Sequence, residues 1–311
     1  MPGARGRNRR ALNGVILLNK PTGLSSQQAV SRVRHLLNAA KAGHTGTLDP
    51  AADGLLPVCL GEATKFTQRL LDADKRYVAR VRLGVVTTTG DAEGEVIRTC
   101  EVHVSRAELD AAVARFRGEI EQCPPMYSAL KYQGKPLYEY ARKGIEIERK
   151  VRVISIYESQ AIDFKEYIFD LSVHCSKGTY IRVLAMDLGV ALGCGASLVG
   201  LTRTGVGDLS LQSRDVCSLN QLDEATPEAR DAWLQPVDSL VTGLPMITFS
   251  EAEAARLLLG QRLRLSAVVE AGLNCAYAPN QRFLGLVEVS ADGLAAPKRM
   301  LGADVQSHAN H

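Results

Sequence analysis

A chain of 311 residues accommodates two domains at the usual scale of roughly 100 to 200 residues each, and a composition of 46% hydrophobic and 23% charged residues excludes a disordered or fibrous polypeptide. The net charge of +3 is 37 Lys+Arg minus 34 Asp+Glu, but Arg5, Arg7, Arg9 and Arg10 crowd the first ten residues, and without them the balance is 33 minus 34, so a case for nucleic acid must rest on local patches. No apolar stretch reaches the roughly 18 residues that span a bilayer, no apolar run follows the N-terminal arginines, and the seven cysteines never form CxxC; a cytoplasmic chain with reduced thiols, no membrane anchor and no metal is expected.

In chain order, residues 1–12 read as a basic flexible arm. Gly14 to Leu18 reads as a strand ended by Lys20-Pro21-Thr22-Gly23. Ser25 and Ser26 can cap a helix whose apolar positions Ala29, Val30, Val33, Leu36 and Leu37 keep helical spacing, with Gly43 as its end. From Gly43 to Pro57 three glycines and two prolines predict an irregular segment, and it holds His44, Thr45, Thr47, Asp49 and Asp53. Tyr77 to Val85 alternates as a half-buried strand. Ser105 with Glu108 forms a capping box for a helix to Phe116. Val151–Tyr157 and Tyr167–Cys175 are further strands, and a helix from about Thr179 to Leu192 follows Ser176-Lys177-Gly178. Strands mixed with isolated helices, without regular βαβ alternation, predict an α+β fold with a mixed, largely antiparallel sheet. After a boundary near 245, a helix over Ser250–Leu259 and strands at Arg262–Val268, Asn274–Ala278, Phe283–Val289 and Ala295–Leu301 predict a small β-barrel-like unit.

Four segments carry candidate chemistry. In Gly43-His44-Thr45-Gly46-Thr47-Leu48-Asp49-Pro50 the glycines allow close backbone approach, and Pro50 holds Asp49 extended so that its side chain projects from a loop; neither a P-loop nor HExxH spacing is present. Lys75-Arg76-Tyr77 sets two cations beside a ring, an arrangement that suits a stacked base and its phosphates, or a solvated strand end with a core tyrosine. In Ser176-Lys177-Gly178-Thr179-Tyr180-Ile181-Arg182, Tyr180 and Arg182 would stand about 200° apart in a regular helix, so they share a site only where the first turn is irregular. Between Tyr127 and Arg152, four tyrosines interleave with seven cations, among them Lys131, Lys135, Arg142 and Lys143, a pattern that fits RNA.

Together, Asn13-Gly14-Val15 with Leu18-Asn19-Lys20-Pro21, GHTGTLDP at 43 to 50, LPVCLGEATKF at 56 to 66, DKRY at 74 to 77, MYSALKYQGKPLYEYAR at 126 to 142 and HCSKGTYIR at 174 to 182 closely resemble the bacterial tRNA pseudouridine-55 synthases of the TruB family. The resemblance implies a pseudouridine synthase core over 13–245, an inserted RNA-gripping thumb at about 124–152, and a PUA-like RNA-binding domain over 246–311. It makes Asp49 the catalytic residue. His44 would help hold the target uridine out of the stack, Tyr77 would stack on the flipped base, Tyr180 and Arg182 would line the pocket with the arginine pairing to the carboxylate, and Leu201 would touch substrate. Lys20, Lys75, Arg76, Lys131, Lys135, Arg142, Lys177 and Arg203 are the expected weaker RNA contacts. Where many relatives carry two arginines after that leucine, Thr202 here precedes Arg203. The substrate implied is the T-arm stem-loop of tRNA, bound by a monomer with no cofactor. The reaction breaks N1–C1′, turns the uracil and joins C5 to C1′, and one carboxylate suffices, whether by attack at C1′, addition to C6 or removal of the C2′ proton. Flipping the base out costs a few kcal/mol. The alternatives are a uridine-directed N-glycosidase using Asp49 with Asp53, and a non-catalytic RNA-binding or RNA-folding protein.

Overall fold

The computed structural model describes residues 9–302; residues 1–8 of the expected arm and 303–311 of the expected C-terminal unit lie outside them. Among the described residues ten strands form one sheet. Its main path runs Val216–Ser218, Gly14–Lys20, Asp53–Leu60, Ala196–Val206, Lys75–Leu83, Ile168–Cys175, Arg152–Lys165, Gly118–Gln122. Only two of its pairings are parallel, Gly14–Lys20 with Val216–Ser218 and Asp53–Leu60 with Ala196–Val206. The fold is α+β, as the sequence predicts.

Strand burial follows from what covers each face. Ala79, Val81, Phe169 and Leu171 pack under the helices Arg106–Arg115 and Ile181–Ala191. The opposite face of these strands presents Arg80 and Arg82 to solvent, which is the half-buried alternation legible in the sequence. In the other half the sheet is sandwiched. Ile16, Leu18 and Val58 meet the helices Ser26–Leu36 and Leu219–Glu224, whereas Val15, Leu17 and Leu55 meet Phe66, Leu70 and the C-terminal strands. Both faces of Gly14–Lys20 and Asp53–Leu60 are therefore apolar. Tyr77 and Leu201 touch both cores, so the seam between the two halves passes through them.

Three expectations change. The first helix ends at Leu36, where Asn38 takes the left-handed conformation (φ 50°) and turns the chain, and Gly43 instead lies in the strand Ala42–His44. The irregular segment shrinks to residues 45–52, because Asp53–Leu60 is a strand despite Pro57. Pro57 is tolerated because on that edge Ala196–Val206 pairs only at Asp53 and Gly54 and Ala42–His44 only from Val58 onward, so Pro57 faces a gap that needs no N–H. Arg10, expected in the free arm, is docked: its guanidinium grips both carboxylate oxygens of Asp231, and its backbone pairs with Asn38 and Ala40.

The C-terminal unit is a five-stranded sheet in the order Met246–Thr248, Gly272–Tyr277, Phe283–Val289, Leu294–Met300, Leu263–Arg264, with the helix Glu251–Leu258 capped by Ser250. The strand expected over Arg262–Val268 reduces to Leu263–Arg264, and Met246–Thr248 is an additional strand parallel to Gly272–Tyr277.

Candidate active site

The loop 45–52 is held from three sides. Ser26, 2% exposed, uses its hydroxyl twice on Leu48, donating to the carbonyl (3.0 Å) and accepting from the N–H (2.8 Å). The Gly23 N–H donates to the Pro50 carbonyl (2.7 Å). Arg203, 1% exposed, donates from Nε to the Leu55 carbonyl (2.8 Å) and from its two Nη atoms to Thr47 (3.2 Å) and Gly46 (3.1 Å). Leu48 is sunk in the core, so the next residue, Asp49, stands at the surface on a fixed base.

The Asp49 carboxylate accepts from Arg182 Nη2 at 2.6 Å, and Arg182 Nε reaches Asp91 at 2.9 Å. The Arg182 and Asp91 side chains are 10% and 13% exposed, whereas that of Asp49 is 55% exposed. The buried Arg182–Asp91 pair thus presents one guanidinium edge to an open carboxylate, a bond that is short and directional because both partners are charged. Asp91 is itself anchored by Thr89 Oγ1 and the Glu93 N–H.

Asp49 and Arg182 border a cavity of about 310 Å³ whose walls include Tyr77, Tyr180, Leu201 and Tyr127. That volume is within the roughly 300–1,000 Å³ typical of small-molecule sites. Tyr180 precedes the helix Ile181–Ala191 in extended geometry (φ −98°, ψ 104°), so the irregular first turn that the sequence required is present and the two residues share one pocket. Burial pushes the phenol of Tyr77 above its ordinary pKa, partly opposed by the Arg203 guanidinium that it bonds, and burial does the same for Tyr180; both stay protonated rings at neutral pH. His44 is half-buried and accepts from the Gly46 N–H (3.2 Å) at Nδ1; burial, helped by Arg203, pushes its pKa below the ordinary range.

The expected RNA-contacting cations divide. Lys20, Lys75 and Arg203 are buried and bond backbone carbonyls: Lys20 those of Pro21 and Leu24, Lys75 those of Leu70, Leu71 and Ala73. They brace the protein, and the expectation that they touch RNA is withdrawn. Arg76 is half-buried and donates to the Gly207 carbonyl. Lys131, Lys135, Arg142 and Lys177 are exposed; Arg142 lies over the Tyr138 ring at 5.4 Å, and Lys177 pairs with Asp72 at 2.7 Å. Asp53, weighed as a second carboxylate, does not line the cavity and interacts with Lys20. Sequence reasoning missed Asp91, Ser26 and Gln122, the last of which bonds the Tyr180 backbone. Among the described residues no group of three or more His, Cys, Asp or Glu is arranged to hold a metal ion, and no helix is long and apolar enough to cross a membrane.

Residues 34–181 match the model of the TruB family pseudouridylate synthase N-terminal domain, 182–242 that of the tRNA pseudouridylate synthase B C-terminal domain, and 245–301 that of the pseudouridine synthase II TruB C-terminal region. The chain is 51% identical over 303 residues to tRNA pseudouridine synthase B of Chromobacterium violaceum, covering 96% of this chain and 98% of that one. It is 54% identical over 299 residues to the protein of the same name from Burkholderia lata, covering 94% and 91%. Among solved structures it is similar to a Cbf5–Nop10–Gar1 complex (TM-score 0.72, 26% identity, covering 94% of this chain and 86% of that one) and to an H/ACA RNP bound to a substrate RNA containing 2′-deoxyuridine (TM-score 0.70, 26% identity, covering 92% and 84%).

Proposed function

The chain belongs to the TruB family of pseudouridylate synthases, and from that membership we propose that it converts the uridine at position 55 in the T-loop of tRNA to pseudouridine, with Asp49 as the catalytic residue. The observation that carries the site assignment is a solvent-facing carboxylate held at 2.6 Å by a buried arginine, beside a cavity walled by three tyrosines. The flipped uridine places its uracil between Tyr77 and Tyr180, with Leu201 on the seam beneath, and its glycosidic bond beside Asp49. Arg182, fixed by Asp91, keeps the carboxylate in one orientation while the base detaches at N1, turns and rejoins through C5; N1 ends with a proton and C5 has lost one. Because the reaction is an isomerisation, no redox partner or group donor enters the balance.

The exposed residues around Lys131, Lys135, Arg142 and Lys143 form the thumb that grips the T-arm, and 246 onward forms a PUA-like second contact, with residues 13–245 as the catalytic domain. The enzyme acts as a cytoplasmic monomer. The test maps pseudouridine in total tRNA from cells with and without the gene, complemented by wild type or Asp49→Asn. Loss of the modification at position 55, restored by wild type alone, is the expected result; restoration by Asp49→Asn overturns the catalytic assignment.

A further inference from the structure

We propose that Gln122 is a positioning residue that sets the place of the Tyr180 ring in the cavity, an inference that rests on the pseudouridine synthase reading above. Tyr180 meets a conflict imposed by its sequence. It must stand beside Arg182, two residues on, although a helix would turn the two about 200° apart. The helix Ile181–Ala191 therefore starts one residue later, and Tyr180 lacks the side-chain cap found at the other long helices of the core. Its backbone N–H is left without an intrahelical acceptor at a half-buried position.

Gln122 resolves this. Its Oε1 accepts from the Tyr180 N–H at 2.7 Å, and its Nε2 donates to the Tyr180 carbonyl at 3.1 Å. The side-chain amide thus serves Tyr180 as a neighbouring strand would, pinning both backbone groups in extended geometry. Gln122 is 2% exposed, so water cannot replace it. It is also the last residue of the strand Gly118–Gln122, paired to Arg152, and the chain leaving it through Pro124 and Pro125 forms the wall of the cavity at Tyr127 and Ser128. One side chain therefore ties the root of this wall to the backbone that carries the Tyr180 ring.

The test uses the full chain and tRNA, reading single-turnover pseudouridine formation, tRNA affinity and thermal unfolding. Gln122→Met keeps the volume and removes both bonds. A folded Gln122→Met enzyme is expected to keep tRNA affinity, which phosphate contacts dominate, within about threefold, while the rate falls by up to about 10²-fold, the scale of a 1 Å misplacement. In a Tyr180→Leu background the same change should cost little more, because the ring it positions is gone. Gln122→Glu supplies the second arm: its carboxylate accepts from the Tyr180 N–H but repels the carbonyl, and protonation restores the donor, so its rate relative to wild type should rise as pH falls. A folded Gln122→Met enzyme with wild-type rate, or losses that multiply in the Tyr180→Leu background, overturns the proposal; if Gln122→Met does not fold, a flat Gln122→Glu to wild-type ratio across pH does so. Wild-type enzyme that makes no pseudouridine would instead refute the functional reading.

Discussion

Ser26→Ala is the sharpest test of how the loop carries Asp49. The substitution removes one oxygen at a position 2% exposed and leaves the Leu48 N–H and carbonyl, formerly bonded at 2.8 and 3.0 Å, in an apolar core. A buried polar group left unsatisfied costs about 1–3 kcal/mol, so two such groups put the loss at about 2–4 kcal/mol after some relaxation. The helix does not contribute, because Ser25 is the N-cap and alanine is a good residue in the first turn. Against a typical stability of about 5–15 kcal/mol the variant stays folded. Urea unfolding should show a lower midpoint with an unchanged slope. Turnover under single-turnover conditions should fall by about tenfold or more, since Leu48 fixes the base from which Asp49 projects. A variant with wild-type midpoint and wild-type rate would refute the claim that this hydroxyl holds the loop that carries Asp49.

Asp49→Asn should fold and bind tRNA normally, because Arg182 keeps Asp91, yet yield no detectable pseudouridine by mass spectrometry of tRNA digests. Tyr77→Phe should retain base binding, whereas Tyr77→Leu should also lose the ~1–3 kcal/mol of a base–aromatic stack; equal affinity and turnover in the two would exclude stacking. His44 has a folded-state pKa below its unfolded value of about 6.5, so the unfolded chain takes the proton first; stability should fall as pH drops below that value, and the dependence should weaken in His44→Gln, as read by chemical denaturation at stepped pH. Replacing the exposed Arg262 and Arg299 by Gln should weaken tRNA binding and make its salt dependence shallower by up to about 0.9 for each phosphate no longer neutralised, with the rate at saturation unchanged.

The residues proposed to do chemistry were legible because local sequence dictates their geometry. Glycines and Asp-Pro marked the loop that the structure confines to 45–52, alternation marked Lys75–Leu83, and Ser105 with Glu108 marked a helix whose capping box is present. The residues that support the chemistry were not, since Asp91, Gln122 and Ser26 meet their partners only through the topology, from 91, 58 and 22 positions away in the chain. The misreading of three cations had a different origin. A cation beside a functional motif invites a solvent-exposed reading, yet Lys75 falls on the same alternating face as Ala79, Val81 and Leu83, so the strand period itself assigns it inward. Arg203 lies opposite Tyr77 in the neighbouring strand, where burial forces its guanidinium onto backbone carbonyls.

The domain boundary expected near 245 poses the remaining question of what the C-terminal sheet adds. In chain order a new sheet begins there, but the packing does not divide at that point. Cys275, Leu286 and Leu301 share one apolar cluster with Val15, Leu55, Phe66 and Leu240 of the core. Phe66 and Phe283 meet at 5.5 Å, the Tyr277 hydroxyl donates to Asp238 at 2.9 Å, and Lys65 Nζ donates to the Met300 carbonyl. Cutting the chain near Thr242 would uncover this face of the central strands, the same strands that carry the Asp49 loop, and would confound weakened RNA binding with a damaged core. Substitution of exposed cations leaves the shared cluster intact. It therefore separates the contribution of this sheet to RNA affinity from its contribution to the stability of Asp49's own scaffold.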